Sequence, residues 1–420
     1  MVSELHAADV ADLIQLIAPD QRGALIEAIR GVLNPDVLAE LEDDIRGQVI
    51  VQLGATETAA AVASLETDEA IEVLETLDPP VRRDVLDSLS ADQRAAIEDG
   101  LAYPDESAGR LMQRGLVAVP GYWTIGQTID YLREADDLPD EFYEIFVIDP
   151  SGRPVGTLPL NRAMRTKRPV VISTIMEPEP RLIPVAMDQE DVAFVFMQYD
   201  IASAGVIDDS DRLVGVIMVD DILDVVDEEA EEDILRLGGV GESRLNDPVF
   251  TTTRRRAPWL LVNLLTAVLA SMVIALFSGT IEQIVALAVL MPIVASMGGN
   301  AGTQTLTITV RALATHDLTA ANALRLFNKE MAISLINGIL FAAVGAGVAF
   351  VWFGSAGLGL VIFAAMIVNL VVAGLSGMLI PLGLNRAGID PALAATVFVT
   401  TVTDVVGFFA FLGLAAWLLI

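Results

Sequence analysis

The chain predicts a multidomain protein: an all-α helical superhelical N domain, an α/β pair of repeated modules, an acidic connecting helix, and an all-α membrane domain of five transmembrane helices. Three observations predict it. Of 420 residues 57 are acidic and 25 basic, net −32, yet 53% are hydrophobic and the mean hydropathy is +0.56. Five stretches long and apolar enough to cross a bilayer all lie beyond residue 256. Within the acidic half, a turn-centred motif returns after 59 residues.

Charge and apolarity occupy different parts of the chain. From Ala257 to Ile420 the basic residues are Arg311, Arg325, Lys329 and Arg386, and the acidic ones Glu282, Asp317, Glu330, Asp390 and Asp404, net −1. The first 256 residues therefore carry −31. Such a surface excludes a nucleic-acid binder, which needs a cationic face. The absence of cysteine excludes disulfide staples and cysteine zinc sites. With only His6 and His316, histidine-rich transition-metal sites are excluded as well. No nucleophile–base pair and no phosphate-cradling loop stands out, so an enzyme is not expected. The first 30 residues lack a basic n-region, so no signal peptide is expected.

Residues 1–114 read as short helices. Val10, Leu13, Ile14, Leu16 and Ile17 form one apolar face, and Leu65, Ile71, Val73, Leu74 and Leu77 another. Asp78-Pro79-Pro80 and Ser90 before Ala91 are turn and N-cap signals. Recurrence of such helices predicts a solenoid-like superhelix.

Residues 115–218 hold the repeat, with copies at about 115–172 and 173–218. Val147-Ile148-Asp149-Pro150-Ser151-Gly152-Arg153-Pro154-Val155-Gly156 returns as Val206-Ile207-Asp208-Asp209-Ser210-Asp211-Arg212-Leu213-Val214-Gly215, and Leu111-Met112 returns as Ile175-Met176. Each copy reads strand, helix, strand, turn, strand, helix. The pattern resembles a CBS-domain pair, a regulatory module that often binds adenosine nucleotides through a Gly–x–x–(Ser/Thr)–x–x–Asp stretch. Here Met218 stands at the hydroxyl position of the second copy, and Pro159 and Arg162 replace both polar positions of the first. The resemblance allows ATP, but the missing hydroxyls argue against it.

Residues 219–256 form the connecting segment. Val219–Gly238 predicts a helix dense in acids, from Asp220 and Asp221 to Glu232 and Asp233. Like charges one turn apart destabilise a helix, so something must offset them. One reading is a solvated face in an acid-rich chain; the other is divalent cations bound between this helix and neighbouring acids.

The spans are read as Pro258–Ser278, Gln283–Val310, Met331–Phe353, Gly357–Asn385 and Pro391–Ile420, the second broken in its middle by Pro292 and Gly298-Gly299. Arg254 to Arg256, the Arg311–Lys329 connection and Arg386 all fall on one side, which places the N-terminus in the cytoplasm and the C-terminus outside. The second span carries Gly298-Gly299-Asn300-Ala301-Gly302-Thr303-Gln304, whose small residues allow close helix approach or a backbone-lined cavity. The fifth carries Asp404 near its centre. A carboxylate at that depth costs about 2.5–3.5 kcal/mol on the insertion scale and normally faces a pathway or a partner.

These two motifs, with Arg311-Ala312-Leu313-Ala314, Asp390-Pro391-Ala392 and the soluble stretch Tyr103–Met112, together resemble the MgtE family of magnesium channels, in family order along nearly the whole chain. The resemblance implies a homodimeric, Mg²⁺-selective pore lined by the second and fifth spans, Gly299, Asn300, Thr396 and Thr403 among the lining residues. Asp404 of each copy would hold a hydrated ion. It also implies closure by cytosolic Mg²⁺ bound to Glu190, Asp200, Asp221, Asp224, Glu229, Glu232 and Asp233. Thr396 departs from the family, which often has Asn there. The expected partners are a second copy, the lipid bilayer and divalent cations. Alternatives on the same scaffold are a channel for Co²⁺ or Mn²⁺, or a non-conducting membrane-anchored ion sensor.

Overall fold

The computed structural model describes residues 5–135, 138–139, 141–240, 249–318 and 321–420. Residues 241–248 of the expected connecting segment lie outside these. The chain divides into two units, Met1–Glu229 and Ala230–Ile420, and the division falls inside the acidic helix Val219–Leu237.

The first unit begins with the helices Ala7–Leu16, Pro19–Ile29, Asp43–Leu53, Ala55–Val62, Thr67–Glu75, Pro79–Ser88 and Ala91–Leu101. Local signals start and stop them. Pro19 and Pro79 occupy first-turn positions where a missing N–H costs nothing. The Ser90 hydroxyl accepts from the Gln93 N–H, and Gly54, at φ +80°, ends one helix and starts the next. Ile14, Ile26, Leu38, Leu41, Ile45, Ile50 and Leu74 form the buried core. The first apolar face is narrower than its composition suggests: Val10 and Ile14 are buried, but Leu13 is 44% and Leu16 83% exposed. At 100° per residue these two leave the stripe set by Ala7, Val10, Ala11 and Ile14.

The repeat folds as two sheets. β1 (Ala118–Pro120), β2 (Glu144–Ile148), β3 (Pro154–Pro159) and β4 (Glu177–Pro178) lie in that order, β1 parallel to β2 and the rest antiparallel. β5 (Leu182–Pro184), β6 (Ser203–Ile207) and β7 (Leu213–Met218) repeat the parallel-then-antiparallel arrangement. Both hairpins shift register at the same place, after Val147 and after Val206. Each turn is an Asp-centred loop: Asp149 Oδ1 accepts from the N–H groups of Ser151 and Arg153, and Asp208 Oδ1 from those of Ser210 and Arg212, all at 2.8–3.0 Å. The Gly/Asp alternation in the motif is explained by the left-handed backbone of Gly152 (φ +83°) and Asp211 (φ +59°).

The glycine ending each motif is required by close approach. A Cβ on Gly215 would lie 2.7 Å from Met112 Sδ and 2.8 Å from the Gln113 carbonyl, and one on Gly156 would lie 2.7 Å from the Glu177 carbonyl. Gly215→Ala is therefore expected to destabilise the first unit by about 1–3 kcal/mol through overpacking, seen as a lower Tm of the full chain in detergent. An unchanged Tm would contradict this packing.

Among the described residues the second unit contains five helices long and apolar enough to cross a membrane: Val249–Leu276, Ala286–Ala314, Ala323–Phe353, Ala356–Arg386 and Ala395–Leu419, the last within the helix Pro391–Leu419. We call them the first to fifth spans. The fourth is the central element, packing on the second, third and fifth and contributing Leu358, Val361, Ile362, Ala365 and Met366 to the core.

The expected break in the second span does not occur. Ala286–Ala314 is one helix through Pro292, Gly298 and Gly299. In an apolar medium each backbone N–H and C=O needs a partner within its own segment, so the glycines stay helical. Pro292 sits in the second turn and removes a single bond.

Candidate functional site

Asp404 lies at the middle of the helix Pro391–Leu419 and is half-buried. Among the described residues its carboxylate has no hydrogen-bond donor or ion-pair partner. Its neighbours on the helix are the points of attachment to the second span. Thr403 is fully buried, returns its hydroxyl to the Thr400 carbonyl at 2.9 Å, and with Val399 fills the space beside Gly302. On the second span Asn300 is exposed, its amide 3.4 Å from the Ser296 hydroxyl, and a methyl on Gly299 would meet nothing within 4 Å. The Thr396 hydroxyl donates to the Leu237 carbonyl at 3.3 Å. Asp404, Asn300 and Thr396 thus lie on two packed helices without bonding one another.

The last turn of the acidic helix is tied to the fifth span. Arg236, its only basic residue, pairs with Glu232 one turn earlier and with Asp390 at 2.7 Å. Asp390 also N-caps the span, accepting from the Ala392 N–H at 2.7 Å. Burial and the nearby Asp390 raise the Asp233 carboxyl above the usual range.

Before Ala230 the same helix meets the acids of the N-terminal helices. Gln113 Nε2 donates to Asp221 at 3.2 Å and reaches Asp68 at 3.5 Å, holding two carboxylates side by side. Burial and Asp221 push Asp68 well above the carboxylate range. Burial and the charges of Asp220 and Glu66 raise Asp221 to about 7, against a lowering bond from the Met218 N–H. Glu228 is raised to about 7 by burial and by Glu72, Asp224 and Asp43. Asp224 is raised by burial and by Asp220 and Asp227, and Glu40 by burial and by Asp224. Among the described residues no Lys or Arg pairs with Asp68, Asp221, Asp224 or Glu228.

The other sensing candidates are placed apart. Glu229 accepts from Gln189 at 2.7 Å. Glu190 and Asp200 stand at opposite ends of the helix Gln189–Tyr199, about 15 Å apart along its axis, so no single ion touches both within one chain. Among the described residues no three His, Cys, Asp or Glu side chains are arranged to hold a metal ion. Carboxylate pairs remain, which suits a cation that keeps most of its water. Asp68, Gln113 and Arg236 are absent from the sequence-based candidates. Arg236 had a signal, as a lone cation in an anionic helix; Asp68 and Gln113 lie 45 residues apart and had none.

Comparison with known proteins bears on this arrangement. A profile for a divalent cation transporter domain matches residues 291–414, one for the MgtE intracellular N domain residues 5–106, and one for a CBS domain residues 172–228. The chain is 32% identical to the magnesium transporter MgtE of Thermus thermophilus over 100% of its own length and 94% of the relative's. The chain belongs to the MgtE family. It is also 28% identical to the magnesium transporter MgtE of Bacillus subtilis, over 99% of this chain and 92% of that one. Among solved structures it is similar to the cytosolic domain of the Mg²⁺ channel MgtE in complex with ATP, with 28% identity and a TM-score of 0.50 over 53% of this chain and 92% of that one.

Proposed function

We propose that this protein moves Mg²⁺ across the cell membrane through a pore lined by the second and fifth spans of two copies, and that cytosolic Mg²⁺ closes it. The observation that carries the pore is Asp404, a mid-span carboxylate with no partner among the described residues, flanked by the residues that seat its helix on the second span. Mg²⁺ sheds water reluctantly and is usually held by one or two carboxylates with several waters kept. One aspartate from each of two symmetric copies supplies that number. Exposed Asn300 and the open face at Gly299 supply further polar lining. The N-terminus then lies in the cytoplasm and the C-terminus outside.

The acidic contact supports the gate. Among the described residues no cation pairs with Asp68, Asp221 or Glu228; Asp68 faces Asp221, and Glu228 faces Glu72 and Asp43, which are themselves paired with Arg46. Divalent ions or protons would relieve that repulsion, and ion loss would favour separation. The last turn of the acidic helix pairs through Arg236 with the N-cap of the span that carries Asp404, so a change along this helix has a route to the pore helix through that ion pair. Of the sensing acids read from sequence, Asp221, Asp224, Glu229, Glu232 and Asp233 lie on this helix, while Glu190 and Asp200 bracket another.

ATP is not part of this reading. Asp221, the one residue retained from the nucleotide-binding stretch, is turned to Gln113 and Asp68 and bonded to the Met218 N–H. It is not free to hold a ribose.

The test is flux of Mg²⁺ into liposomes containing the full chain. Millimolar Mg²⁺ on the side of the N-terminal unit is expected to suppress flux several-fold relative to metal-free buffer. Equal flux would remove the gate and leave the pore; Co²⁺ or Mn²⁺ flux above Mg²⁺ flux would change the cargo.

A further inference from the structure

Asn369 lies in the interior of the fourth span with 1% of its surface exposed, where an amide is costly unless bonded. Its Nδ2 donates to the Val294 carbonyl of the second span at 2.8 Å, while Oδ1 is buried without a partner among the described residues. One turn after Val294 is Gly298. A Cβ there would lie 2.8 Å from the Asn369 Cγ, and a Cβ on Gly407 of the fifth span would lie 2.7 Å from its Nδ2. The carboxamide therefore occupies a notch shared by two glycines on two different spans, and neither position accepts a methyl while Asn369 is in place.

The place of this wedge matters. Gly407 comes three residues after Asp404. On the other side of Asp404, Val399 and Thr403 close on Gly302. The seam between the second and fifth spans is thus set at two levels, Gly302 with Val399 and Thr403, and Gly298 with Asn369 and Gly407. Asp404 falls between them along the chain.

We propose that Asn369 is a positioning residue that sets the spacing of the second and fifth spans beside Asp404, and through that spacing which hydrated cation passes. The inference rests on the pore reading above. A hydrated divalent ion is discriminated by cavity width as much as by ligands, and a neutral wedge fixes width without adding charge to the membrane interior.

The test uses the full chain in liposomes, with Mg²⁺ and Co²⁺ flux measured side by side and assembly checked by detergent-solubilised Tm. Gly407→Ala is expected to lower Mg²⁺ flux by about tenfold, as small displacements of a functional group do. Asn369→Ala is expected to change the Mg²⁺/Co²⁺ flux ratio severalfold. The double variant Asn369→Ala/Gly407→Ala, in which the methyl enters the vacated notch, is expected to recover most of the Mg²⁺ flux lost in Gly407→Ala. An unchanged flux ratio in Asn369→Ala, or a double variant no better than Gly407→Ala, overturns the proposal. If Gly407→Ala fails to assemble, the flux ratio of Asn369→Ala and of the double variant decides alone. Asp404→Ala is run beside them: lost flux there with no coupling between 369 and 407 defeats this inference only, whereas retained flux defeats the pore reading.

Discussion

Asp404→Ala is expected to abolish Mg²⁺-dependent growth of a transporter-deficient strain, with normal amounts of protein in the membrane. The carboxylate has no protein partner among the described residues, so its loss breaks no internal bond. Removing a buried charge from a helix in lipid even lowers the cost of insertion by about 2.5–3.5 kcal/mol. Fold and function should therefore part: Tm held or raised, flux gone. Asp404→Asn keeps the size and an oxygen but not the charge, and should also fail, since a hydrated Mg²⁺ is held by charge at a distance. Normal growth with either variant would show that the ion does not depend on this group.

Asp68→Ala and Asp221→Ala are expected to release the channel from suppression by internal Mg²⁺, raising by about tenfold or more the Mg²⁺ needed for half-suppression, the cost of losing one carboxylate from a pair. Flux in metal-free buffer should be preserved, because neither residue lies in the membrane unit. The same contact predicts a pH dependence with a definite sign. Asp221 and Glu228 titrate near 7 in the docked state, against about 4 when free. Metal-free docking is therefore fully favoured below about pH 4 and is lost as pH rises through about 7, because the docked form binds the extra protons. Protons and Mg²⁺ each neutralise these oxygens in the docked state, and the protons leave as pH rises through about 7, so the Mg²⁺ required for suppression should rise from pH 6 to pH 8, by about tenfold at most per proton lost. A requirement that falls over that range, or Asp68→Ala with unaltered suppression, would remove this pair from the sensor.

How much of this was legible in the sequence differs by element. Segregated charge marked the membrane half, since lipid imposes about 20 apolar residues per helix and tolerates few charges. The repeated Asp-centred turn was legible because its chemistry is local: an aspartate accepts from N–H groups two and four residues on, and a left-handed position admits Gly or Asp. Asp404 was legible for the opposite reason, as a residue its surroundings disfavour. The apolar face at Val10–Ile17 was overread, because five apolar residues in eight span more of a helix than one core can cover. The break expected in the second span was a misreading of glycine, whose freedom goes unused where only a helix satisfies the backbone.

By itself the sequence determined which parts enter the membrane, that a twice-repeated α/β module precedes them, and which carboxylate is costly enough to require a purpose. Tertiary structure alone decided who meets whom: Asp68 with Asp221 through Gln113, Arg236 with Asp390 across 154 residues, Asn369 with Gly298 and Gly407. Hydrophobic periodicity and turn chemistry act over a few residues and leave a trace at each position. A carboxylate pair, an ion pair or a glycine notch depends on two or three segments converging, and no one of them carries the signal.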